Sequence, residues 1–138
     1  MSKTKLLLIA GDHDTATLTQ KIAGGMFFSV QTATAHNFAE QYDMINPDVI
    51  VLDLLAPDMK AFEILEILKR QQSKSILLLL SGRQDSYRRL VEHLVMAAKL
   101  NIHGNLPKPF RDIDLRQQLR EIQMTHLAEK RTPMRSVS

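Results

Sequence analysis

The sequence contains no cysteine, which excludes a disulfide framework, a thiolate metal site and a cysteine nucleophile. Such a chain suits a reducing compartment, and a cytoplasmic location is the expectation. Long apolar runs are also missing: the longest, Leu6 to Ala10 and Ile76 to Leu80, fall far short of the ~20 residues that cross a bilayer. No basic, apolar, small-residue leader opens the chain, so a soluble protein with no membrane partner is expected. A glycine-rich Gly-x-x-x-x-Gly-Lys loop is absent, leaving nucleotide hydrolysis without support. Charge of one sign is scarce as well, with 18 Lys and Arg against 15 Asp and Glu. The basic excess is terminal: from Lys108 onward seven basic residues stand against four acidic ones. Dispersed among acids, they make a weak field, and direct nucleic-acid binding is not expected.

What is present is an apolar content of 44% in 138 residues, enough to bury one core without staples. Leu6 to Ala10 reads as a first buried strand, followed by the capping sequence Asp12-His13-Asp14-Thr15 and a helix over Ala16 to Ile22 that Gly24-Gly25 stops. Phe28 to Ala33 alternates as a second strand, and Thr34 or His36 leads into a helix around Phe38 to Met44. After Asn46-Pro47-Asp48, Val49 to Leu52 reads as a third buried strand. Phe62, Ile64, Leu65, Ile67 and Leu68 then mark the face of a third helix. Ile76 to Leu80 is the fourth strand. A helix from about Ser86 to Leu100, a short strand over His103 to Leu106 and a last helix capped by Asp112 or Asp114 complete the alternation. The apolar face of that last helix is read as Ile113, Leu115, Leu119, Ile122 and Leu127. Met26, Met44, Met59, Met96 and Met124 read as core or loop filler.

Five strands alternating with five helices predict an α/β, flavodoxin-like, doubly wound parallel sheet in the order 2-1-3-4-5, because parallel neighbours need right-handed crossovers. Residues 1–130 form the expected domain. Residues 131–138, with a proline and no apolar period, read as a disordered tail or the start of a linker.

In such sheets the carboxyl ends of the strands form the ligand crevice. Four polar residues fall there: Asp12 after the first strand, Asp53 on the third, Ser81 on the fourth and Lys108 after the fifth. Two neighbouring carboxylates repel unless a cation compensates them, and oxygen ligands without a histidine cage suit Mg²⁺. Asp53 attacking a phosphoryl group would form an aspartyl phosphate, whose oxygens the Lys108 ammonium and the Ser81 hydroxyl could hold. His13 reads as a solvated loop residue, and Asp14 as a helix cap.

The ordered set, with Val49-Ile50-Val51-Leu52-Asp53 and Lys108-Pro109-Phe110, resembles the receiver domain of two-component response regulators over roughly residues 4–124. The resemblance implies Asp53 as phosphoacceptor, Ser81 as switch hydroxyl and Lys108 as phosphate-binding lysine. For the metal it implies Asp12, Asp53 and the Leu55 carbonyl as Mg²⁺ ligands. It implies a histidine kinase or phosphotransfer protein as partner and a signalling rather than enzymatic role. The helix over 86–100, the fifth strand and the last helix would be the homodimer or effector face. The stretch from Ala97 through Phe110 is similar to receivers fused ahead of EAL-type cyclic-di-GMP phosphodiesterases, which implies an output domain after residue 138; a free-standing receiver stays open.

Four positions depart from the family pattern. Gly11 stands where a first acid is usual, Asn105 where the aromatic switch residue is usual, and Lys60-Ala61 replace an acid or amide and a glycine. These departures keep open a degenerate receiver that works by binding alone. Leu55, apolar where many relatives are polar, implies slow self-dephosphorylation, and the lack of an acid there discards an aspartate-nucleophile hydrolase.

Overall fold

A computed structural model describes residues 3–54, 61–82 and 99–131. Five strands, β1 (Thr4–Ile9), β2 (Phe28–Thr32), β3 (Val49–Asp53), β4 (Ile76–Ser81) and β5 (Asn101–Pro107), form one sheet. Their order is β2-β1-β3-β4-β5 and every pairing is parallel, as the alternation predicts. Among the described residues four helices accompany them: α1 (His13–Gly24), α2 (Phe38–Ile45), α3 (Ala61–Arg70) and α4 (Asp112–Arg131). The helix expected over Ser86 to Leu100 lies outside the described residues except at its end, where Lys99 and Leu100 form a turn.

Both faces of the central strands are buried, which is why β3 and β4 read as unbroken apolar runs rather than alternating ones. Leu6, Leu8, Val49, Val51, Leu78 and Leu80 face one layer with Ile22, Leu115, Leu119 and Ile122. Leu7, Ile9, Ile50, Leu52, Leu77 and Leu79 face the other with Phe38, Ile64, Leu65 and Leu68. Each such side chain withdrawn from water contributes about 1.5–3 kcal/mol, so the two layers hold the strand ends in a fixed frame.

The helix ends follow local chemistry. Asp12 caps α1, its Oδ1 accepting from the Thr15 amide at 2.7 Å, whereas Asp14 lies exposed within the first turn instead of capping. Thr34 and Asn37 exchange bonds just before α2, with Thr34 N donating to Asn37 Oδ1 at 2.7 Å. Asn46 ends α2 in the left-handed region at φ 50°, which asparagine tolerates. On α4, Asp114 reaches back to accept from the Arg111 amide at 2.9 Å, the reciprocal half of a capping box.

Several expectations need correction. Ile113 and Leu127 are 61% and 53% exposed, so the buried face of α4 is the i, i+4, i+7 set Leu115, Leu119 and Ile122. Met44 and Met124 are surface residues on helices, not filler. β5 is longer than His103 to Leu106 and begins at Asn101. Its register slips between Leu77, paired with Ile102, and Leu78, paired with Gly104. The bulge at His103 turns the remainder of β5 by one residue, so that Pro107 meets Ser81 and Lys108 leaves the sheet beside the end of β4. α4 runs through Arg131, the first residue of the expected tail.

Candidate functional site: a carboxylate pair bridged by a lysine

Asp53 is the last residue of β3, paired with Leu80 of β4, and it continues the Val49 and Val51 face that α1 and α4 cover. Its side chain is fully buried. A buried carboxylate is tolerable only when paired and hydrogen-bonded, and here Oδ2 accepts from Lys108 Nζ at 2.7 Å and from the Gly11 amide at 3.0 Å. The same ammonium donates to Asp12 Oδ2 at 3.0 Å. One cation therefore joins carboxylates carried by the ends of β1 and β3, delivered from the end of β5.

Local backbone bonds hold this geometry. Lys108 N donates to the Ser81 carbonyl at 2.8 Å, and Leu54 N to the Leu80 carbonyl at 2.8 Å, tying the loops after β5 and β3 to the end of β4. Asp12 is fixed by α1 itself, through the Thr15 amide and through the Thr15 hydroxyl at 2.9 Å.

Electrostatics follow from these contacts. The Thr15 amide bond, with help from the Lys108 ammonium, holds the Asp12 carboxyl down at about 2. Burial alone would lower the Lys108 pKa, but the bonds to Asp53 and then Asp12 outweigh it, so the ammonium is held above its ordinary value. Asp12 and Lys108 are thus both held in their charged forms at neutral pH.

Of the residues expected from the sequence, Asp12, Asp53 and Lys108 are joined directly. Ser81 sits at the adjacent strand end with its side chain buried, and its Oγ has no hydrogen-bond partner among the described residues. Leu55 and Lys60 lie outside the described residues. His13 is exposed at the start of α1, with Nε2 3.4 Å from Thr17 Oγ1. The contact that sequence reasoning missed is the Gly11 amide: a position read only as a lost acid supplies a backbone donor to Asp53.

The donor set fits a hard divalent cation in kind. Two carboxylates already flank one cationic centre, that of Lys108, and no histidine or thiolate competes. Among the described residues no three His, Asp or Glu side chains gather to form a metal cage, so any remaining ligands to an ion here are carbonyls or water.

The family described as response regulator receiver domain matches residues 6–120. The chain belongs to that family. Receivers of this kind are signalling domains that generally take Mg²⁺ at the phosphorylation site. The receiver is 32% identical over 87 residues to the DNA-binding transcriptional regulator NtrC of Proteus hauseri, a match that covers 63% of this chain and 17% of that regulator's length. In fold it is similar to the signal receiver domain of an HD domain-containing protein from Pseudomonas fluorescens Pf-5, with TM-score 0.78, 18% identity and coverage of 95% and 94% of the two chains. It also resembles the chemotaxis response regulator CheY4 of Vibrio cholerae, with TM-score 0.73, 18% identity and coverage of 88% and 99%. No helix among the described residues is long and apolar enough to cross a membrane.

Proposed function

We propose that this receiver accepts a phosphoryl group on Asp53 from a phosphohistidine of a kinase or phosphotransfer protein and passes the event to a protein-contact surface. The observation that carries this reading is the fully buried Asp53 carboxylate held by the Lys108 ammonium beside a second carboxylate, Asp12. An Asp53 oxygen attacks phosphorus and forms the O–P bond. The N–P bond of the donor breaks, and the imidazole nitrogen keeps the electron pair. Lys108 follows the negative charge from the carboxylate to the phosphoryl oxygens, and the unpartnered Ser81 hydroxyl is available to donate to one of them.

Asp12, Asp53 and the Leu55 carbonyl would hold Mg²⁺, which when bound supplies charge compensation between the carboxylates and the incoming phosphoryl group. Gly11 leaves one fewer negative charge for that ion, so weaker Mg²⁺ binding than with an acid at that position is expected. The Ser81 movement would alter a face that includes β5 and α4, with the helix expected over 86–100 as its third part. That face is where a homodimer or effector would form. The match to only 17% of the NtrC relative fits a module that works ahead of an output domain, whether of EAL type or another.

A second reading, binding without phosphorylation, is favoured by one observation: Asn105 Oδ1, where receivers usually carry an aromatic, is buried without a hydrogen-bond partner among the described residues. Incubation with acetyl phosphate and millimolar Mg²⁺, read by intact mass, separates the two. Gain of one phosphoryl group in the wild type and none in Asp53→Asn supports the first reading. No adduct at any Mg²⁺ concentration favours the second.

A further inference from the structure

At the opposite end of the sheet from Asp53, a cavity of about 500 Å³ opens between α2, the starts of β3 and β4, and the end of α4. Its walls include Tyr42, Pro47, Asp48, Lys74, His126 and Glu129. Pro47 and Ile76 are its apolar lining, and charged groups of both signs, Asp48, Glu129 and Lys74, converge on it, a lining more polar than most small-molecule sites and suited to a charged ligand.

His126 sets the chemistry. Its side chain is 13% exposed, its Nε2 is buried, and that nitrogen has no hydrogen-bond partner among the described residues. A buried polar atom left in this way is destabilising until a partner reaches it. The nearest anion is Asp48 Oδ1 at 3.9 Å, beyond hydrogen-bond reach. Asp48 cannot turn toward it freely, because its Oδ2 accepts from the Lys5 amide at 2.8 Å.

The 3.9 Å gap discriminates between ligands. Two ligands of one tetrahedral zinc stand about 3.4 Å apart, and among the described residues no three His, Asp or Glu side chains gather closely enough for an ion. A single donor atom about 2.8 Å from each, by contrast, spans the gap once the imidazole turns enough to uncover Nε2. A primary ammonium does this with one N–H to the carboxylate and another to the imidazole lone pair, and Glu129, one turn beyond His126 on α4, adds a second carboxylate wall. Lys74, exposed at the rim and without a hydrogen bond of its own among the described contacts, would meet an anionic far end.

We propose that the cavity between α2 and the end of α4 binds a small amino-acid-like zwitterion, its ammonium bridging Asp48 and His126 and its carboxylate on Lys74. The site is independent of phosphoryl chemistry at Asp53. Its volume matches a small molecule rather than the footprint of a protein.

The test uses the full chain and three probes, 4-aminobutyrate, butylamine and butyrate, followed through the His126 imidazole resonances, which His126→Gln assigns. Saturable shifts with 4-aminobutyrate at a Kd near or below about 1 mM, weaker shifts with butylamine and none with butyrate are expected. Lys74→Glu, at an exposed position that leaves folding intact, should weaken 4-aminobutyrate at least about tenfold and leave butylamine binding in place. Asp48→Asn should weaken both amines. No saturable shift with 4-aminobutyrate overturns the site. Butylamine binding as tightly as 4-aminobutyrate, or an equal response to butyrate, overturns the zwitterion assignment.

Discussion

β3 has an aspartate at each end, and the two live differently. Asp48, just before the strand, is part-exposed, with one oxygen on the Lys5 amide at 2.8 Å and the other 3.9 Å from His126. Asp53, closing the strand, is fully buried, with Lys108 Nζ at 2.7 Å and the Gly11 amide at 3.0 Å. The residue type is the same, so the difference comes from what the topology delivers to each edge. At the amino edge Asp48 meets a backbone amide from β1 and an imidazole from α4. At the carboxyl edge the strands bring a full cation and a second carboxylate, and a charge can be stored out of water only there.

The largest expected effect breaks that storage. Lys108→Met leaves Asp53 charged and buried without its cation, which should cost about 3–5 kcal/mol in urea unfolding. Adding Asp53→Asn should recover a large part of the loss, so the double-mutant cycle shows strong coupling. Additive losses would mean that the pair does not act as a unit. Next in size, Leu119→Ala should cost about 2–5 kcal/mol as a fully buried residue between α4 and the sheet. Ile113→Ser, on the exposed side of the same helix, should stay within about 0.5 kcal/mol.

Asp12→Ala comes lower, at about 1 kcal/mol for the lost cap of α1. Its pH dependence has a definite sign. The folded carboxyl is held down to about 2 from 3.8, so its contribution is complete above 3.8 and disappears as pH falls through about 2. Half of the side chain faces solvent, so screening keeps the pH-linked part small. Wild-type stability should fall more steeply than that of Asp12→Ala between those two values, and parallel curves would remove Asp12 from the charge network.

Much of the fold was legible because β3 and β4 are buried on both faces and leave continuous apolar runs between turn signals. The three joined site residues were legible for the same reason, since a strand's end fixes where the next polar residue points. Other features left no such trace. The bulge at His103, which sets where Lys108 leaves the sheet, depends on cross-strand pairing rather than on local pattern. Ile113 carries an apolar side chain at the outward phase of α4, where hydropathy alone places it inside. The positive φ of 71° falls on Phe27 rather than on the nearby Gly24-Gly25 pair, a backbone preference that residue type argues against. The approach of His126 to Asp48 joins the end of the last helix to the start of β3, a contact with no local signature. Gly11 was legible only as a missing acid, because a backbone donor has no residue type.

Asp53, held by Lys108 beside Asp12, is the proposed phosphoacceptor. The most direct measurement treats the protein with acetyl phosphate and Mg²⁺, reduces it with borohydride, and maps the peptides by mass. Borohydride converts an aspartyl phosphate to homoserine, and the account predicts that residue at position 53 alone. Homoserine at another aspartate, or an unchanged Asp53 in protein that has gained a phosphoryl group, would contradict it.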